Sequence, residues 1–474
     1  MLRGPKRPAV VSVAEMFDAV VERFVAQGPL TVMGQLVLER ACEPSWVDAI
    51  FKAHSERQYE HQLLYSTVVE LMSLVALGRH PSLHAAAQKQ GVPVSLQALY
   101  KKVNRSEPAV LRALVRGSFA RLAPLFDALH NPRAPVCEGM TVRIVDGNHL
   151  PASEKRLKPL RGFRGAAMPG QSLVVYDPDR DLVVDVLPAF DAHDSERTLL
   201  AELLPSVQAG ELWIADRAFS TRATLAGFAE RGAYLLVREH SCNPAPTEQG
   251  PRRKVERLES GALFEQSVTI ATDSQAPLRL RRIELELDAP TASGHTVIRL
   301  LTNVPAHLLS ATTLAQLYRT RWRIEGLFGR LESVLTSEVR TLGTPGAALL
   351  AFCTATMAYN VLAMLQATVE AAHPICQQVP ISTFYIANDL RAEFHLLNRL
   401  VPPDYWTKYS RLTIQQLATT LLQIAKHVVP AQLRKHPRKP KPKANKGYAP
   451  AAQVRQQVAT ARVLQAGTVN YPKK

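Results

Sequence analysis

From about residue 12 to 130, apolar residues recur every three or four positions, in AEMFDAVVERFVAQ, HQLLYSTVVELMSLVAL and AVLRALVRGSFARLAPLF. That spacing lines one face of a helix, so an all-helical N-terminal region is predicted. Near residue 140 the period shortens. TVRIVD, QSLVVYD and DLVVDVLPAF read as neighbouring strands, each bounded by Gly, Pro, Asp or Asn turn signals. A helix opening near Ser195 (SERTLLAELLPSVQ), a strand LWIAD, a helix around TRATLAGFAERG and a strand AYLLVRE follow. Strands first, then alternating helix and strand, predict an α/β domain on a mixed sheet. Residues of roughly 240 to 310 interrupt it with a Pro-rich, basic opening, PAPTEQGPRRK, and then alternating runs FEQSVTIA, LRLRRIELEL and TVIRLLTNV, which predict a β-rich insertion.

A helix-rich stretch from about 311 to 430 follows. Within it, Gly346 to Val369 carries no charged residue but is broken by Thr354, Thr356, Asn360 and Gln366. Small and polar residues recur there where lipid would want Leu or Phe, so a helix buried in the protein is expected rather than a membrane span. The expected organisation is therefore multidomain α/β: a helical region over 1–135, a catalytic-type α/β domain from 136–240 and 311–345, the β-rich insertion over 241–310, a helical region over 346–430, and a tail over 431–474. The tail after Lys426 has no Asp or Glu, and RKHPRKPKPKANKGY packs seven Lys and Arg among prolines. Such a segment is expected to stay extended and solvated.

Length and charge sharpen this picture. A chain of 474 residues is long enough for roughly two to four domains. Its 57 Lys and Arg against 41 Asp and Glu give a formal net charge of +16, a field that attracts polyanions and makes nucleic acid the leading partner class. The five cysteines are scattered and lack the spacing of a zinc site or a disulfide framework, which suits a reducing compartment, and no export signal is visible. In the helical front, SLHAAAQKQGVPVSLQALYKKVNRS outlines two short helices around Gly91–Ser95, with Ser95 capping the second and Lys101, Lys102 and Arg105 near its end. This is either a DNA-reading helix-turn-helix or an ordinary helical hairpin.

Three carboxylates stand out. Asp146 is placed at the end of the first strand, in RIVDGNHL, and Asp216 at the end of a later one, in LWIADRAF. One such Asp is usually a cap or turn residue, but two at the ends of strands of one sheet bring both carboxylates to one edge, where a metal ligand is useful. The third lies in LAQLYRTRWRIEGLFGRLES, read as one helix on which Tyr318, Arg321 and Glu325 share a face. Glu325 could take an ion while Arg321 takes a phosphate oxygen; equally, Arg321 and Glu325 could form a plain surface ion pair.

The set IVDG, ADRxF and YxxRWxIE resembles the DDE transposases of bacterial insertion sequences, specifically insertion-sequence family four with its Tyr-Arg-Glu-Lys signature. The motifs cover about residues 140 to 345, and the order of parts matches along the whole chain. The resemblance implies a ribonuclease-H-like fold in which Asp146, Asp216 and Glu325 bind two Mg²⁺ ions, or Mn²⁺, for in-line attack on a phosphodiester. It also implies phosphate contacts by Tyr318, Arg321 and Arg217, a DNA partner made of transposon ends and target, a homodimer in the DNA complex, and a bacterial cytoplasmic, nucleoid-associated setting. Two departures follow from the residues. The signature Lys should fall seven positions after the Glu, where Glu332 stands; Arg330 is the nearest cation and a candidate substitute. Between His240 and Ser310 the only aromatic is Phe264, which leaves open whether cleavage passes through a hairpin with a flipped base. Two other readings share these residues: a metal nuclease that cleaves without joining, and a DNA-binding descendant of a transposase without chemistry.

Overall fold

In a computed structural model the described residues are 13–58, 62–163, 165–272, 276–291, 294–436 and 457–466. The fold is mixed α/β, with a large mixed sheet and many helices. The helices Val13–Gln27, Pro29–Cys42, Pro44–His54, Tyr65–Ala76, Leu83–Gln90, Leu96–Asn104 and Pro108–Ala128 precede the first strand. Three of them carry Pro in the first turn, where its missing N–H loses no helical bond. Ser82 and Ser95 cap the two short helices by accepting bonds from Ala85 N and Ala98 N, and Gly91 closes the first at φ +62°, a left-handed conformation that favours glycine.

The strands are β1 (Val142–His149), β2 (Ala166–Met168), β3 (Gln171–Asp177), β4 (Leu182–Ala189), β5 (Leu212–Ala215), β6 (Tyr234–Arg238), β7 (Thr247–Leu258), β8 (Gly261–Ile270), β9 (Leu278–Leu287), β10 (Val297–Thr302) and β11 (Gln457–Ala459). Nine of them form one sheet in the order β4-β3-β1-β5-β6-β10-β9-β8-β7. Strands β1, β5 and β6 run parallel, and the pairs β1–β3, β3–β4 and β6–β10 are antiparallel, as are the pairs from β10 out to β7. The strands expected as a β-rich insertion therefore extend the same sheet. The sequence PAPTEQGPRRK, read as an opening to that insertion, contributes to β7. As an edge strand β7 is exposed along nearly its whole length and shows no apolar alternation, so its sequence carries no strand period.

Alternation along the central strands covers both faces of the sheet. Ile144, Val174 and Ile214 join one buried cluster, while Val145, Leu173, Val175, Trp213 and Ala215 join the other. The second face is covered by the helices Glu196–Leu203 and Arg222–Glu230, through Leu199, Leu200, Leu203, Leu225 and Phe228. The first face is continuous with the helices of both the front and the back of the chain. The helix Pro345–Ala372 is the one span long and apolar enough to cross a membrane among the described residues, and it is buried inside the protein. Its polar groups are used internally: the Asn360 side chain accepts from Val183 N at 2.8 Å and donates to Val183 O at 2.9 Å, tying the helix to β4.

The basic tail differs in part from the expectation of an extended, solvated segment. Residues 437–456, most of its Lys and Pro, lie outside the described residues. Beyond them β11 pairs in parallel with β2, and the helix Thr460–Gln465 buries Val463 against Leu160 and Ala167. The physical reason is local composition: VATARVL after the charged run has the apolar residues that the run itself lacks.

Candidate active site

Asp146 lies within β1 rather than at its end, since the strand continues to His149. It is nonetheless where the parallel pairing stops: the β1–β5 register ends at Val145 with Ala215, so Asp146 and Asp216 are the next residues on adjacent strands. Alternation puts both on the face of Ile144 and Ile214, the side covered by Leu317, Ile324 and Leu327. Two short elements bring in the remaining groups. The stretch read as one helix is two, Ala311–Arg319 and Trp322–Ser333. The break is a tightened turn in which Thr320 N donates to Leu317 O at 2.9 Å, Arg321 N to Tyr318 O at 3.1 Å, and the Thr320 hydroxyl to Leu317 O at 2.6 Å.

The bend still delivers Tyr318, Arg321 and Glu325 to the two aspartates. Arg321 Nη1 donates to Asp146 Oδ2 at 2.9 Å and its Nη2 to Glu325 Oε1 at 2.7 Å. Tyr318 Oη donates to Asp216 Oδ1 at 3.5 Å. Arg321 is buried while Glu325 is largely exposed, so the pair with Glu325 is half a surface contact and the pair with Asp146 is not. The second oxygen of Asp146 accepts from Gly147 N at 3.0 Å. Arg321 Nε is buried without a hydrogen-bond partner among the described residues.

The electrostatics follow from this crowding. Burial raises the Asp146 carboxyl from 3.8 to about 6; the Arg321 charge works against that, and Asp216 and Glu196 add to it. Burial, with the negative charge of Asp216 beside it, also pushes the Tyr318 hydroxyl up, so it is a neutral donor. Burial opposes the charge on Arg321, but Tyr318, Glu325, Asp146 and Asp216 outweigh it and its pKa is raised. Arg321 therefore stays positively charged at the centre of a site rich in acids.

The other expected residues fall in different places. Arg217 is exposed in the turn Arg217–Phe219 that follows Asp216. Arg330 is not brought to the site: its Nη2 donates to Asp181 Oδ1 at 2.9 Å and to Tyr359 Oη at 2.5 Å, inside a cluster that Tyr176 also joins. Glu332 is exposed on the same helix. Lys101 and Arg105 are exposed at the end of the helix Leu96–Asn104, whereas Lys102 is buried, with its ammonium 4.8 Å from the Phe51 ring centroid and bonded to Leu63 O. Two residues near the site were not singled out from sequence. Glu196, in the first turn of its helix, lies so close to Gly147 that a Cβ there would be 1.9 Å from its Oε1, and Arg238 on β6 is near enough to act on Tyr318. A first-turn acid reads as an ordinary complement to the helix dipole, which hides the former.

Three carboxylates, hard oxygen donors, suit a divalent cation such as Mg²⁺ or Mn²⁺. Among the described residues, however, no three His, Cys, Asp or Glu are grouped so as to hold one. The positive group that bridges two of the acids is the guanidinium of Arg321.

Residues 138–361 of the chain match the family model described as transposase DDE domain. Over 162 residues it is 30% identical to "Putative transposase y4zB" of Sinorhizobium fredii, a match covering 33% of this chain and 42% of that protein. The chain thus spans less than half the length of that relative. Among solved structures, the piggyBac transposase synaptic complex with hairpin DNA is similar at 12% identity and a TM-score of 0.40, over 81% of this chain and 85% of that one.

Proposed function

We infer that this chain is an insertion-sequence transposase that binds the terminal inverted repeats of its element and carries out DNA strand cleavage and strand transfer. The observation that carries the reading is the placement of Asp146 and Asp216 side by side on adjacent parallel strands, with Arg321 and Glu325 closing over them, inside the segment matched as a transposase DDE domain. The parallel centre of the sheet flanked by antiparallel strands supports a ribonuclease-H-like arrangement for that domain. Asp146, Asp216 and Glu325 would hold divalent cations, which when bound would activate the attacking hydroxyl and stabilise the leaving oxygen. The chain's own groups then do the positioning. Arg321 presents a rigid fork suited to two phosphate oxygens, Tyr318 holds a neutral O–H beside Asp216, and Arg217 adds an exposed cation at the rim. Lys101 and Arg105 offer phosphate contacts from the helical hairpin, and two copies acting on two ends make a homodimer the working assembly.

Specific features favour one alternative. The cation expected after Glu325 is replaced by exposed Glu332, and Arg330 is held by Asp181 and Tyr359, so this helix does not supply that DNA contact. A DNA-binding descendant without cleavage is the reading this favours. The test is incubation of purified protein with a labelled duplex carrying the repeats that flank its gene, plus a target plasmid, in Mg²⁺ and then in EDTA. Metal-dependent nicking with joined products is expected, lost in Asp216→Ala while repeat binding persists. Cleavage surviving in Asp216→Ala would overturn the assignment of the site, and binding without cleavage in the unaltered chain would establish the descendant.

A further inference from the structure

We propose that Arg321 is an exchangeable occupant of the acid site, holding Asp146 and Glu325 against divalent cations until a phosphodiester anion draws its guanidinium away. The inference rests on the metal-binding reading above. Both oxygens of Asp146 are engaged, Oδ1 by Gly147 N at 3.0 Å and Oδ2 by Arg321 Nη1 at 2.9 Å, and the same guanidinium takes Glu325 Oε1 at 2.7 Å. A cation ligated by Asp146 Oδ2 and Glu325 Oε1 needs oxygens at roughly 2.0 to 2.6 Å, in the space the guanidinium fills, and two positive groups there repel.

The arginine is held tightly enough to block but is not fully satisfied. It is buried, and its Nε has no partner among the described residues, so an anion offering two oxygens in a plane would satisfy the fork better than the split pair of acids does. Exchange of guanidinium from carboxylate to phosphate then frees the acids as the substrate arrives. In the resting protein this keeps the site closed to stray metal, and it couples metal affinity to the presence of DNA.

The test is Mn²⁺ binding to the full chain without DNA, with free ion followed by EPR, in the unaltered protein, Arg321→Gln, Arg321→Lys, Asp146→Asn and the double variant Arg321→Gln with Asp146→Asn. Arg321→Gln should bind Mn²⁺ about ten-fold tighter than the unaltered chain. Arg321→Lys keeps the charge but cannot bridge both acids, so it should bind about three-fold tighter, a gain that a purely electrostatic role does not give. The gain should vanish in the double variant. An independent readout is the fluorescence of Trp322, exposed and 5.4 Å from the Arg321 guanidinium, which should change when a DNA duplex is added to the unaltered chain and lose that change in Trp322→Phe. Unchanged affinity in both arginine variants, with loss in Asp146→Asn alone, would overturn the exchange and leave the metal site standing. Equal Mn²⁺ binding in all variants, Asp146→Asn included, would overturn the metal reading itself.

Discussion

Asp146 is the residue whose protonation should be visible in stability. Burial, helped by Asp216 and Glu196 and only partly offset by Arg321, raises its carboxyl from 3.8 to about 6. Between those values the folded state holds a proton that the unfolded chain has released, so this contribution is full below about pH 4 and is lost as pH rises through about 6. With a fifth of the side chain exposed, the swing is about 2 to 3 kcal/mol at most. Thermal melting between pH 4.5 and 7 should show that fall in the unaltered chain and a flatter profile in Asp146→Asn; identical profiles would contradict the burial argument. Arg330 and Arg217 provide a second contrast. Both are basic residues flanking signature acids, yet Arg330 is bound to Asp181 and Tyr359 while Arg217 is exposed. Arg330→Ala leaves Asp181 beside two phenols without its cation and should cost about 3 kcal/mol, seen as a lowered Tm, with repeat binding per folded molecule unchanged. Arg217→Ala should do the reverse, leaving Tm in place and weakening repeat binding, with a smaller salt dependence in a filter-binding assay. Equal effects of the two would show that exposure is not what separates them.

At the scale of elements, legibility followed the pattern of burial. Strands β3, β4 and β5 stand where apolar runs end in turn residues because nearly all their positions are buried, and β1 and β6 because their apolar stretches are, at Val142, Ile144 and Val145 and at Leu235–Val237. Strand β7 was not legible because both of its faces meet water, and β2 and β11 because three residues carry no period. The break at Thr320 is hidden for a different reason: the amphipathic spacing continues across it, and the tightened turn is marked only by hydrogen bonds, from Thr320 N and its hydroxyl to Leu317 O and from Arg321 N to Tyr318 O. The acids survive the error, since a single tight turn leaves Tyr318, Arg321 and Glu325 facing the same edge of the sheet. The docked segment Gln457–Gln465 gives the testable consequence at this scale. Its removal, by ending the chain at residue 456, uncovers Leu160, Ala167 and Met168. Limited proteolysis should then cut faster within residues 150–170 while global Tm falls by only a few degrees. Unchanged cleavage there would mean that β11 does not hold β2.

For the whole molecule, the decisive feature is that the front and back of the chain share one core. The sequence divides naturally into a helical region before residue 135 and another after 345, because nothing in a periodic pattern says which distant face it will meet. In the structure the helices Pro29–Cys42, Tyr65–Ala76 and Pro108–Ala128 contribute to the same apolar cluster as Pro345–Ala372 and Ile414–Ala425, and that cluster runs on to Ile144 and Ile214 beneath the two aspartates. A helix buried on every side, as Pro345–Ala372 is, has no face left for solvent if a partner is removed. Residues 1–135 expressed alone would expose Met33, Leu36, Met72 and Leu114, all nearly inaccessible in the complete chain. That fragment should fail to give a cooperative melt and should bind a hydrophobic dye, whereas the complete chain should lose the helical layer and the sheet in one transition. A fragment that melts cooperatively, with a Tm near that of the complete chain, would show that the front is an independent domain. The packing of Pro345–Ala372 against both the front helices and β4 would then be an interface between domains, and disrupting it at Asn360 would change how they are joined while leaving each one folded.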